Sequence, residues 1–239
     1  MALDFGRFGD ALALATELSD LVGLFKINIH LFTAEGPEAV RKLAKLGVGV
    51  FLDLKYHDIP NTVAGAVTAA AALPGVQLLN VHATGGLEMM RAAAQALAAS
   101  PATGSRPKLL GVTILTSMDR KALGQVGISG TPQTRVVSLA RLAKRAGLDG
   151  VVASPLEVKQ IRKACGPDFL TVIPGVRPAD PKSAHSKRRD DQARTATPGD
   201  AIRAGADFLV VGRPITAAQD PRAAAQAVVE EIALAMSGG

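Results

Sequence analysis

Eight short apolar runs of strand character alternate along this chain with longer Ala-rich stretches of helical period. Strands are expected near Ala2–Phe5, Gly23–Asn28, Gly49–Leu54, Gln77–His82, Lys108–Leu115, Gly150–Ala153, Leu170–Pro174 and Phe208–Gly212. Helices are expected at about Gly9–Leu21, Pro37–Leu46, Thr62–Leu73, Leu87–Ala99, Gln133–Ala146, Pro155–Ala164, Pro198–Ala204 and Pro221–Ala235. Regular strand–helix alternation implies βα units and a parallel sheet. Eight such units are what a closed (β/α)8 TIM barrel requires, and 239 residues suit one. Gly47, Gly147 and Gly205 follow the last periodic residues of three helices, where a left-handed cap suits glycine. No linker divides the chain and no repeat is visible, so residues 1–239 read as one α/β domain.

With 48% hydrophobic and 20% charged residues the chain can bury a large core. No run approaches the roughly 20 apolar residues of a membrane span, and the first residues lack the basic and apolar regions of a secretory signal. The lone Cys165 excludes an internal disulfide framework and a Cys-rich metal site. A cytoplasmic protein without membrane association is the expectation. The formal charge of +6 raises the question of nucleic acid. The basic residues are dispersed, however, apart from Lys182 to Arg194, and there is no Trp and one Tyr to stack on bases. An anionic small substrate accounts for local positive charge, and no nucleic-acid partner is expected.

In a TIM barrel the reacting groups sit at the C-terminal ends of strands. Asp4, Lys26, Asp53, Lys55, His82, Thr116, Ser117, Arg177 and Arg213 fall there. Alternation along the third run turns Asp53 and Lys55 to one face, and Lys26 on the neighbouring strand can reach the same space. Ionisable groups inside a barrel are costly unless paired, and two lysines with Asp53 and Asp58 form an alternating set. The plainer reading is a structural ion-pair network. Against it stands a phosphate signature in the last two loops, Pro174-Gly175-Val176-Arg177-Pro178 through Gln192, and Gly212-Arg213-Pro214-Ile215-Thr216. Gly212 permits close backbone approach to an anion, Arg213 offers a bidentate fork and Gln192 a neutral donor.

These residues resemble the orotidine 5′-phosphate decarboxylase family, in its short bacterial form, over essentially the whole chain. The resemblance rests on Ala2-Leu-Asp4-Phe, Phe25-Lys26, Phe51-Leu-Asp53-Leu-Lys55-Tyr-His-Asp58-Ile-Pro-Asn-Thr62, Asn80-Val-His-Ala, Leu115-Thr116-Ser117-Met118, Pro174-Gly-Val-Arg177-Pro, Asp191-Gln192 and Val211-Gly212-Arg213-Pro-Ile-Thr216. It implies decarboxylation of orotidine 5′-monophosphate to UMP and carbon dioxide, in pyrimidine biosynthesis, without metal or organic cofactor. Carried over by position, Lys55 is the acid that protonates C6, Asp53 lies beside the substrate carboxylate, Lys26 links Asp53 to the sugar, and Asp4 binds a ribose hydroxyl. Asp58 and Thr62 would be lent across a homodimer interface to the partner's site. Thr116 and Ser117 would meet the pyrimidine edge, and Arg177, Gln192, Gly212 and Arg213 the phosphate.

The chemistry is coherent on its own terms. Loss of carbon dioxide from C6 leaves a vinyl-type carbanion with no electron sink, so positive charge must already be in place. A lysine between carboxylates is held in its charged form by their field. The nearest rival, a 3-keto-L-gulonate 6-phosphate decarboxylase-like enzyme, needs a divalent metal and an acidic ligand where this chain has Lys26. A rival of another class is a non-catalytic nucleotide-binding barrel. His57 and His82 read as histidines steadying the rim, Cys165 as packing, and Lys187-Arg188-Arg189 as part of a phosphate lid.

Overall fold

The computed structural model describes residues 1–100, 105–178 and 195–237. Seven parallel strands form one sheet in sequence order: β1 (Leu24–Asn28), β2 (Gly49–Tyr56), β3 (Val76–His82), β4 (Lys108–Val112), β5 (Gly150–Val152), β6 (Leu170–Ile173) and β7 (Phe208–Leu209). Around them lie α1 (Phe8–Glu17), α2 (Ile29–Glu35), α3 (Pro37–Ala44), α4 (Pro60–Ala71), α5 (Gly86–Ala99), α6 (Arg120–Gln125), α7 (Pro132–Arg145), α8 (Val158–Cys165), α9 (Pro198–Arg203), α10 (Arg213–Thr216) and α11 (Pro221–Ser237).

The first expected strand, Ala2–Phe5, is reduced to a bridge. Leu3 N–H donates to the Lys26 carbonyl at 3.0 Å, Lys26 N–H to Met1 at 2.7 Å, and Ala2 N–H to Val211 at 2.8 Å. Three residues thus join β1 to the chain beyond β7 and close the (β/α)8 ring as its eighth stave. Past Leu3 the chain bends at Gly6 into α1, too soon for a ladder to extend. The final expected strand shortens as well, although Val210 N–H still reaches the Ile173 carbonyl at 2.8 Å. Three short helices, α2, α6 and α10, were not expected from the pattern. Asn28 and Asp119 cap α2 and α6 by accepting from Leu31 and Ala122 backbone N–H groups at 2.9 and 2.8 Å. The three cap glycines do adopt positive φ: 74° at Gly47, 87° at Gly147 and 101° at Gly205.

Strand alternation sorts the core into two layers. Val50, Leu52, Leu79, Leu109, Val151 and Ile173 pack outward against the helices. Phe51, Leu78, Leu110 and Val172 turn inward and fill the barrel as a separate apolar plug. The next inward positions along β1, β2 and β3, one pleat nearer the C-terminal mouth, are Lys26, Asp53 and Asn80. The polar layer therefore rests on a dry floor. Among the described residues no helix is long and apolar enough to cross a membrane.

Among the described glycines, Gly150 on β5 leaves the least room against neighbouring backbone. A Cβ there would lie 2.3 Å from the Leu170 carbonyl oxygen and 2.6 Å from its Cβ. Backbone cannot swing aside, so Gly150→Ala should destabilise by about 1–3 kcal/mol, as overpacking does, and lower the urea midpoint. Gly9→Ala in the first turn of α1, with nothing within 4 Å, should leave the midpoint unchanged or slightly raised. Equal midpoints for the two variants would contradict this packing.

Candidate active site

The barrel mouth holds a cavity of about 360 Å³ floored by Phe51, Val112 and Val152 and walled by Leu115, Thr116, Ser117, Arg177, Gly212 and Arg213. Asp4, Lys26, Asp53 and Lys55 line one side. Asp53 is 6% exposed. Its two oxygens are taken separately: Lys55 Nζ lies 2.6 Å from Oδ1 and Lys26 Nζ 3.0 Å from Oδ2. Lys26 also approaches Asp4 at 3.7 Å, and Asn28 donates to the same Asp4 oxygen at 2.8 Å. At such distances and an effective dielectric near 20, each close pair gains about 5 kcal/mol before desolvation is subtracted. Burial alone pushes the Asp53 acid up and is the largest single influence on it. The charges of Lys26 and Lys55, with hydrogen bonds from Lys55 and Asn80, outweigh burial and hold it below the usual carboxylate range.

Asp53 and Lys55 do meet, but regular pleating is not the reason. β2 and β3 run in register through Leu52↔Leu79 and resume at Tyr56↔Val81. Three residues, Asp53 to Lys55, thus oppose the single Asn80 in a bulge. Lys55 sits there at φ 55°, the one non-glycine residue at positive φ among those described. A left-handed lysine costs on the order of 1–3 kcal/mol. It persists because its N–H is taken by Asn80 Oδ1 at 2.8 Å, while Asn80 Nδ2 donates to Asp53 Oδ1 at 2.6 Å.

The other expected site residues divide into three groups. Asp4, Thr116, Ser117, Arg177, Gly212 and Arg213 line the cavity. Asp58 and Thr62 do not: both are exposed, Asp58 before α4 with Oδ1 accepting from Ile59 N–H at 2.6 Å, and Thr62 within that helix. Gln192 and the Lys187-Arg188-Arg189 run lie outside the described residues, although Arg177 N–H donates to the Ala196 carbonyl at 3.0 Å beside that stretch. His57 and His82 pack their rings 5.5 Å apart at the rim. Cys165 is buried on α8. Sequence reasoning quoted Asn80 within a motif but gave it no role, and passed over Asn28. The available signal was an amide flanked by Leu79 and Val81, two residues beyond the inward Leu78.

A model of the orotidine 5′-phosphate decarboxylase / HUMPS family matches residues 1–228. Orotidine 5′-phosphate decarboxylases of Trichlorobacter lovleyi and Geobacter sulfurreducens are each 53% identical over 231 residues, covering 97% of this chain and 93% and 94% of theirs. The crystal structure of orotidine 5′-phosphate decarboxylase from Lactobacillus acidophilus superposes with a TM-score of 0.81 at 40% identity, over 97% of this chain and 96% of that one. The chain belongs to the orotidine 5′-phosphate decarboxylase / HUMPS family.

His82 gives this rim a pH signature. Burial, then the positive charge of His57 and Lys55, lowers its pKa from the ordinary 6.5, with Asp53 opposing. Below about 6.5 the unfolded chain therefore binds a proton that the folded chain resists. Stability should be full above that pH and fall as the solution is acidified toward the depressed value. Chemical denaturation across mildly acidic and neutral pH should show a shallower acid slope for His82→Gln than for the wild type. Identical slopes would remove His82 from the account.

Proposed function

We propose that the chain is an orotidine 5′-monophosphate decarboxylase that yields UMP and carbon dioxide without metal or organic cofactor, the whole chain acting as one barrel domain. The observation that carries this reading is the buried Asp53 carboxylate held between the two ammonium groups of Lys26 and Lys55 at the cavity wall. With the pyrimidine over Phe51 and Val112, its C6 carboxylate would meet Asp53, a like charge already fixed in place. The C6–carboxylate bond breaks, its electron pair stays on C6, and carbon dioxide departs. The Lys55 ammonium gives a proton to C6 and regains one from solvent. Positive charge set in advance is what such a carbanion requires.

Asp4 and Lys26 suit the ribose, Thr116 and Ser117 the pyrimidine edge, and Arg177, Gly212 and Arg213 the phosphate, with Gln192 proposed beside them. Binding energy from that remote phosphate can offset destabilisation at the reacting carbon. The metal-dependent rival is disfavoured by Lys26, whose ammonium 3.0 Å from Asp53 repels a divalent cation where a ligand would be needed. A biosynthetic enzyme of this kind would work in the cytoplasm.

The reading includes a homodimer with shared sites. Asp58 and Thr62 are exposed beside Ile59, which is 67% exposed, and Ile29, the first residue of α2, is 61% exposed. Large aliphatic groups left bare next to the catalytic string suit a surface that a second copy covers.

Loss of orotidine 5′-monophosphate absorbance, followed with excess chelator present, separates the readings. Chelator-insensitive turnover is expected. No turnover favours the binding barrel, and chelator-sensitive turnover the metal-dependent rival. Lys55→Ala should lower kcat by about 10²–10⁴-fold or more, the usual worth of a positioned proton donor, with the fold intact by circular dichroism. Mixed Lys55→Ala and Asp58→Ala subunits should regain activity, since one site of each heterodimer is then whole. Absence of rescue after verified subunit exchange would refute the shared site.

A further inference from the structure

We propose that Asn80 is a positioning residue for the decarboxylation, one that sets the charge array by binding both ends of the β2 bulge at once. Its side chain is fully buried on β3. Nδ2 donates to Asp53 Oδ1, the same oxygen that receives Lys55 Nζ, and Oδ1 accepts from the Lys55 backbone N–H. This orientation of the amide is the only one that works: turning it over would set nitrogen against N–H and oxygen against carboxylate. The amide thus fits an ionised Asp53 and a left-handed Lys55, and neither alone.

The consequence is geometric. Opposite a bulge the ladder offers no backbone acceptor for the displaced N–H. Without the amide, Lys55 would relax toward ordinary strand conformation, where its side chain leaves from a different direction. Asp53 would at the same time lose the one neutral donor that fixes Oδ1. Lys26, bound to Oδ2 from another strand, would stay where it is. Asn80 therefore governs the reacting pair and leaves the sugar and phosphate contacts alone.

The inference rests on the decarboxylase reading, and the experiment separates the two. Wild type, Asn80→Ala and Asn80→Asp are assayed for kcat and KM with orotidine 5′-monophosphate, and for UMP affinity by calorimetry. UMP keeps the phosphate, ribose and base but lacks the C6 carboxylate. Asn80→Ala should lose about 10²-fold in kcat, as a misplacement near 1 Å can, while UMP affinity moves less than about 3-fold, a small step on the free-energy scale.

Asn80→Asp keeps the shape and covers the case in which the alanine variant does not fold. Ionised, it sets carboxylate against Asp53; protonated, it restores both a donor and an acceptor. Its kcat relative to wild type should therefore rise as the pH is lowered from alkaline to mildly acidic, a dependence that packing alone would not produce. A folded Asn80→Ala with wild-type kcat, loss of UMP binding in step with kcat, or a pH-independent ratio for Asn80→Asp would each overturn the role. No turnover by the wild type would sink both readings. Wild-type turnover with unaltered variants would sink this one alone.

Discussion

A carboxylate 6% exposed, ringed by two ammonium groups and an amide, is the interaction on which the rest of the mouth depends. An ionised group in such a place is tolerable only while all of its partners are present, since removing one leaves a buried charge uncompensated at about 3–5 kcal/mol. The partners come from three adjacent strands, so the requirement is met only once β1, β2 and β3 are in register. Asp53 thus ties the electrostatics of the mouth to the folding of the barrel. Lys55 pays for its place with a left-handed backbone, and that strain persists because the surrounding contacts over-determine it.

The same alternation that supplies the apolar plug supplies the ionic layer. Phe51 precedes Asp53 by one pleat, and Leu78 likewise precedes Asn80. A floor without polar groups keeps water from beneath the lysines and strengthens every charge interaction above it. Among the described residues the cavity lining carries four cations, Lys26, Lys55, Arg177 and Arg213, against two carboxylates, Asp4 and Asp53, for a formal charge of +2. A nucleotide monophosphate bearing a further carboxylate is the complementary charge type. The arginines lie toward the β6 and β7 loops and the lysines on β1 and β2. The positive charge of the mouth thus comes from both the first and the last strands of the ring.

What the sequence revealed and what it hid divide along a physical line. Periodicity is a property of single residues, so the strands, most helices and the inward direction of Lys26 and Asp53 could be read directly. The exits of those strands then gathered Asp4, Thr116, Ser117, Arg177 and Arg213 around the same cavity. Pairing is a property of two strands, and no single-chain pattern registers it. The bulge at Asp53 to Lys55 exists only relative to Asn80, so pleating led to the correct neighbours for an incomplete reason. The short helices α2, α6 and α10 escaped because they have too few turns to show a period. The side-chain caps at Asn28 and Asp119 support two of them. The first strand was overlong in the reading because its residues are apolar enough to pair, but the turn at Gly6 comes first.

In the proposed homodimer the string from Asp53 to Thr62 would serve two cavities. Asp53 and Lys55 are held at the cavity wall by the bulge and by Asn80. Beyond Tyr56 the chain leaves β2, and Asp58 and Thr62 are exposed and outside the lining of their own cavity. Three residues of extended chain span at most about 10–11 Å, so Asp58 cannot lie far from its own Lys55 and yet stands outside the cavity lining. For Asp58 to complete a partner's ribose site, the partner's mouth must come within a similar distance on the other side. A two-fold contact would then bring the two mouths together at these strings, since an isologous interface presents the same patch from both copies. Exposed Ile59, between Asp58 and Thr62, would lie within that contact. Dimer formation and completion of the site would then be one event, with the bulge that orients Lys55 also setting the direction in which Asp58 leaves.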